Sequence, residues 1–150
     1  MTIGLCLAVA TAIVASLPVD RFTLDWIHSI EKVRWEEDWR VDPARRTLRL
    51  VESRLRGSGA GMEPPEGAVL RDGVWHAPGK GLEVSRLRLA LSDYTDDWRL
   101  CTRQGCRPLR AYVPGSTSAT PVTGTIELLP CRTGRPDRPQ RRHHLVRRDA

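Results

Sequence analysis

The stretch FTLDWIHSIEKVRWEEDWRV, residues 22–41, decides how the rest of the chain is read. It holds three of the five Trp, one of the four His and a dense set of charges. Successive side chains of a strand point to opposite faces, so two antiparallel strands place Phe22, Leu24, Trp26, His28 and Ile30 on one stripe. The partner strand places Trp35, Glu37, Trp39 and Val41 on a matching stripe. Two polar side chains, His28 and Glu37, therefore stand among apolar ones.

Outward from this stretch the strand pattern continues. Residues 42–45 (Asp-Pro-Ala-Arg) form a turn, and residues 47–56 alternate as a third strand with Leu48, Leu50, Glu52 and Arg54 on one face. Asp72-Gly73 between residues 68–70 and 74–76 is a hairpin signal, because both residues tolerate a positive φ. Residues 82–92 are the longest alternating run, and 98–101, 107–113 and 123–129 supply shorter strands. No segment from Arg21 onward repeats apolar residues at helical spacing. Short strands separated by Gly, Pro and Asp turns predict an all-β fold, a small antiparallel β-sandwich or open barrel.

The chain divides into residues 1–20, 21–131 and 132–150. Its 150 residues carry a formal charge of +6 and a pI near 9.8. Residues 132–150 hold seven Arg against two Asp, a net of +5, which leaves about +1 for the first 131. The basic charge thus sits in a Pro- and Arg-rich tail poor in apolar residues, which is expected to be disordered. Nucleic-acid binding calls for a basic face interleaved with stacking aromatics. Here the Trp residues lie among carboxylates and the Arg cluster lies in an aromatic-free tail, so no nucleic-acid partner is expected.

Residues 3–17 are apolar apart from Thr11 and Ser16. As a helix they would span about 22 Å, short of the roughly 30 Å hydrocarbon core, which favours a signal-peptide core over a settled membrane span. No Lys or Arg precedes Arg21, so an uncleaved anchor in the bacterial inner membrane is the alternative, and a buried N-terminal helix a third. The expected location is periplasmic, exported or membrane-anchored. In an oxidising compartment Cys101 and Cys106, flanking a four-residue turn, are disulfide candidates. Cys131 is then left odd, with pairing to either of those two as the alternative. A zinc site from three Cys and a His is the competing reading, and no metal or other cofactor is expected.

If residues 31–34 connect the first hairpin, Ile30 pairs with Trp35, His28 with Glu37 and Trp26 with Trp39. Opposed Cβ atoms lie about 4.5–5.5 Å apart. The third strand then brings Glu52 beside Glu37, giving a cluster of His28, Glu37, Glu52 and Arg54. A satisfied polar cluster that fixes the hairpin register is the favoured reading. The alternatives are a pocket in which Arg54 takes an anionic group, a carboxylate-based hydrolase, and a metal site that also uses His76. No complete catalytic constellation is present, so no catalytic residue is assigned. Gly57, Gly59 and Gly61 form a glycine loop. Because residues 62–67 (Met-Glu-Pro-Pro-Glu-Gly) cannot start a regular helix, these glycines are read as a close backbone passage instead of a phosphate cradle.

The ordered motifs Phe22-Thr23-Leu24, His28-Ser29-Ile30-Glu31-Lys32, Glu36-Glu37-Asp38-Trp39-Arg40-Val41, Leu50-Val51-Glu52-Ser53-Arg54 and Gly57-Ser58-Gly59-Ala60-Gly61-Met62 resemble a bacterial family of domains of unknown function, number eighteen-fifty. The resemblance covers roughly residues 22–106. It implies a short exported or membrane-anchored protein encoded beside TAXI-type TRAP transporters. The partners it implies are transporter subunits or their solute-binding protein. The family has no assigned activity, and the resemblance carries over no catalytic residue. The long Arg-rich tail departs from its simplest members.

Overall fold

The structure, a computed structural model, describes residues 2–27, 33–56, 64–92, 97–117, 119–120 and 122–134. His28, the glycine loop at Gly57, Gly59 and Gly61, and residues 135–150 of the tail lie outside them. The fold is all-β with antiparallel strands in two sheets. The larger sheet contains β3 (Arg21–Ile27), β4 (Arg34–Asp42), β5 (Thr47–Arg56), β6 (Val69–Arg71), β7 (Val74–Pro78), β10 (Arg99–Thr102) and β11 (Gly105–Pro108). Their order is β11-β10-β3-β4-β5-β7-β6, and the short β8 (Glu83–Val84) also pairs with β5. The smaller sheet runs β2-β1-β12-β9, from β1 (Thr2–Val9), β2 (Ala12–Leu17), β9 (Leu87–Leu91) and β12 (Gly124–Thr133).

Both sheets send apolar side chains into one core. Leu5, Leu7, Leu89, Leu91, Ile126 and Leu128 come from the smaller sheet, and Phe22, Leu24, Trp39, Val41, Leu48 and Leu100 from the larger. Complete burial of one such side chain contributes roughly 1.5–3 kcal/mol. The all-β expectation holds, as two antiparallel sheets that share one core and do not close into a barrel.

Residues 3–17, expected as a helix, are strands in this structure. They form the β1–β2 hairpin, with Leu5, Cys6 and Leu7 buried and β1 paired with β12 from Thr2↔Thr133 to Ala8↔Glu127. Among the described residues no helix is long and apolar enough to cross a membrane. The hairpin is hidden in the sequence because its turn, Ala10-Thr11, takes positive φ values of 49° and 70° without any Asn, Asp or Gly. A continuous apolar run is also what a fully buried strand looks like. Gly4 belongs to this packing: a Cβ there would lie 2.3 Å from the Leu17 carbonyl oxygen.

Other expectations shift by smaller amounts. The third strand is β5 as read, and Asp72-Gly73 turns β6 into β7. Residues 82–92 do not make one strand. They divide into β8 on the larger sheet and β9 on the smaller, so this run carries the chain from one layer to the other. Residues 107–113 give the end of β11 and then a 3₁₀ turn, Leu109–Tyr112, whose Leu109 is fully buried. At the C-terminal end β12 extends through Thr133, two residues into the segment assigned to the tail.

Candidate functional site

The first hairpin is offset by four residues from the expected register. Trp26 pairs with Trp35, Leu24 with Glu37 and Phe22 with Trp39. The Trp26 and Trp35 rings stack with centroids 5.6 Å apart, and Trp98 lies 4.2 Å from Trp26. A wider connection than residues 31–34 accounts for the offset, since Lys32-Val33 lacks tight-turn chemistry. An offset of an even number preserves faces, so Glu37 does stand in the Trp35–Trp39 stripe. It stands opposite Leu24 on one side and Ser53 on the other.

Glu52 and Arg54 do not share that face. Asp38 pairs with Glu52 and Trp39 with Leu50, which leaves Val51 as an extra residue in β5. This β-bulge reverses the alternation: Leu48 and Leu50 face the core, whereas Glu52 and Arg54 face outward. The chain on the far side of β5 fits around it. β7 pairs with β5 up to Pro78↔Glu52, Gly79 N–H donates to the Val51 carbonyl at 2.9 Å, and Leu50 N–H donates to the Leu82 carbonyl. A Cβ on Gly79 would lie 2.0 Å from the Leu50 carbonyl oxygen, so backbone approach requires glycine there.

The expected cluster of His28, Glu37, Glu52 and Arg54 is thus corrected to a different set on the outer face. Arg54 donates from Nη1 and Nη2 to Asp38 at 2.5 and 2.8 Å and from Nε to Glu36 at 2.8 Å. Glu52 lies 3.8 Å from Arg54 and accepts a short hydrogen bond from His76 Nδ1. Arg56 also donates to Glu36 at 2.7 Å, and Thr23 to Asp38 at 2.7 Å. One row further, buried Asp25 accepts two hydrogen bonds from Arg99, at 2.8 and 2.6 Å, and one from Arg34 at 3.3 Å. Glu36, Asp38, Asp25 and Arg99 all belong to the alternate stripe of the strands already recognised. Following both parities of residues 22–41 would have found the first three, but Arg54 joins them only through the bulge.

Burial pushes the Glu36 carboxyl up, but hydrogen bonds from Arg56 and Arg54 outweigh it and hold the group below its ordinary range. Asp38 behaves alike: burial raises it, and the hydrogen bonds of Arg54 and Thr23 bring it below normal. Their field holds the Arg54 guanidinium more firmly protonated. Glu37 differs. Burial pushes its carboxyl up, and the nearby Trp39 indole N–H offsets this in part without reaching hydrogen-bond geometry.

Chemically this face is a set of mutually satisfied ion pairs. Arg54 already meets two carboxylates at hydrogen-bond distance, so it is not presented to an external anion. Among the described residues no group of three or more His, Cys, Asp or Glu is placed to hold a metal ion. The cysteines pair completely: Cys101 with Cys106 across β10 and β11, and Cys6 with Cys131, which joins β1 to β12. The expected first bridge is present. Cys131 pairs with neither Cys101 nor Cys106 but with Cys6, which the pairing of β1 with β12 brings beside it.

Two antiparallel sheets, two disulfides and an ion-paired outer face define a small disulfide-bonded β-sandwich domain. The chain belongs to the family described as Domain of unknown function (DUF1850), whose model matches residues 22–109. No curated protein and no solved structure matches it.

Proposed function

We propose that this domain works outside the cytoplasm as a non-catalytic binding component, accessory to a TAXI-type TRAP transporter or its solute-binding protein. The observation that carries the compartment is the complete pairing of the four cysteines, with Cys6 and Cys131 joined across 125 residues of chain. Such bridges persist in oxidising compartments and are reduced in the cytosol. The non-catalytic reading is supported by the outer face, where Glu36, Asp38, Glu52 and Asp25 are each held by Arg or His and none is presented as a poised acid or base. The transporter association rests on the family resemblance.

The test is co-purification. The full chain, tagged and expressed together with a TAXI-type TRAP transporter and its solute-binding protein from the same organism, is extracted in mild detergent and captured. Recovery of transporter or solute-binding protein in stoichiometric amount supports the reading, and clean absence overturns it. Alkylation of the protein in intact cells checks the compartment separately: four blocked thiols without reductant would rule out an oxidising location.

A further inference from the structure

The outer face of the larger sheet holds a second row of charge with the opposite logic. Arg21 of β3 stands directly across from Arg40 of β4, and Arg40 across from Arg49 of β5. β10 pairs with β3 through Cys101↔Thr23, and the same register continued by two residues sets Arg103 against Arg21. Like charges directly opposed on neighbouring strands are unfavourable. Elsewhere on this face Arg34, Arg54, Arg56 and Arg99 are matched by carboxylates, and in this row Arg49 is matched by Glu83 at 3.5 Å. Among the described residues Arg21 has only exposed Asp20 at 4.0 Å, and no carboxylate lies within ion-pair distance of Arg40 or Arg103.

These three side chains line a groove of about 400 Å³. Thr23, Asp38, Val51 and the Cys101 end of a disulfide are part of its wall. Asp38, the one carboxylate there, is already committed to Arg54 and Thr23. Val51, the extra residue of the bulge, is 42 % exposed and offers an apolar edge. A volume in this range admits a small ligand. Guanidinium groups recognise carboxylate and phosphate through paired N–H donors, and an anion between Arg21 and Arg40 would cancel their repulsion.

We propose that this groove binds an oxyanion, a carboxylate or phosphate group with a short apolar part, through Arg21, Arg40 and Arg103. The site adjoins the Arg54 cluster through Asp38 and Thr23 but does not use Arg54, and it stands or falls independently of transporter association. Free small anions and anionic lipid headgroups share this chemistry.

The experiment titrates the full chain with inorganic phosphate, with hexanoate, and with phosphatidylglycerol vesicles. It follows Tm and binding heat against sodium chloride of matched ionic strength. Arg40→Gln and Arg103→Gln are the test variants, and Arg132→Gln on the other sheet is the control. The expected result is saturable binding to at least one probe, weakened at least tenfold by either test variant and unchanged by the control. Arg40→Gln is also expected to raise the anion-free Tm, because it removes a like-charge opposition. A response to vesicles alone, lost in the test variants, supports the site with a lipid headgroup as the source. A response equal to that of sodium chloride, or one retained in both test variants, overturns the proposal.

Discussion

Arg54 and Asp38 are joined on the outer face by two hydrogen bonds, at 2.5 and 2.8 Å, while the Nε of the same guanidinium holds Glu36. A planar fork with three engaged N–H groups ties β4 to β5 beside the bulge. Arg54→Met leaves these carboxylates without their main cation. Removing one partner of a buried pair costs about 3–5 kcal/mol, and the partial exposure of Asp38 reduces this, so a loss of about 2–3 kcal/mol is expected in urea unfolding. Arg54→Lys should recover only part of it, because an ammonium cannot reproduce the fork. Full recovery by Lys would show that charge alone matters.

The pH dependence follows from the same pair of carboxylates. Glu36 and Asp38 titrate lower in the folded chain than in the unfolded one, so their contribution is complete above the unfolded range of about 4. It is lost as pH falls through the folded values. Unfolding free energy is expected to drop between about pH 5 and pH 2, with a shallower drop in Arg54→Met. Equal slopes for the two proteins would contradict this assignment.

Glu37 carries the opposite sign. Its folded-state pKa is raised by burial, so the folded protein holds a proton that the unfolded chain gives up, and stability declines as pH rises above about 4.3 until the folded group has ionised. Glu37→Gln, similar in shape and uncharged, is expected to be more stable than the parent at pH 7 and indistinguishable from it near pH 3. Thermal melts at the two pH values provide the check.

The two disulfides close very different loops. In the chain-entropy treatment, the Cys6–Cys131 bridge with its separation of 125 residues contributes about 5 kcal/mol, and the Cys101–Cys106 bridge with a separation of 5 about 2 kcal/mol. Cys6→Ser with Cys131→Ser should therefore lower stability more than Cys101→Ser with Cys106→Ser. Guanidinium unfolding of both double variants, each compared with the oxidised parent, measures the order directly.

Gly79 reports on the bulge. A methyl group there meets the Leu50 carbonyl at 2.0 Å, and backbone cannot withdraw as a flexible side chain would. Gly79→Ala is expected to cost about 2–3 kcal/mol, at the upper end of overpacking effects. Gly81→Ala, which has open space but a positive φ of 75°, should cost about 1 kcal/mol. Equal stability losses for the two variants would argue against the close approach.

Much of the β framework was legible in residues 22–41 and 47–56, because period-two alternation depends only on local chain geometry. Local turn chemistry placed the Asp72-Gly73 hairpin and, with the compartment argument, the Cys101–Cys106 bridge. The polar cluster was less accessible. Strict alternation puts Glu52 and Arg54 on the face of Leu48 and Leu50, and one unpaired residue, Val51, turns them to the other side. Nothing in Leu50-Val51-Glu52 announces that bulge, since its fit depends on Gly79 arriving from β7.

The sequence by itself therefore determined an antiparallel β fold, its principal strands, the local disulfide and the family resemblance. All of these rest on neighbours along the chain or within one hairpin. Only the tertiary structure decided that residues 3–17 are core strands, that Cys6 meets Cys131, and that Arg54 joins Asp38 and Glu36 while Arg21, Arg40 and Arg103 are left to face one another. The physical reason is register. An apolar run is compatible with a helix or a buried strand until a partner strand fixes it, and a side chain's face is undefined until every bulge before it is known.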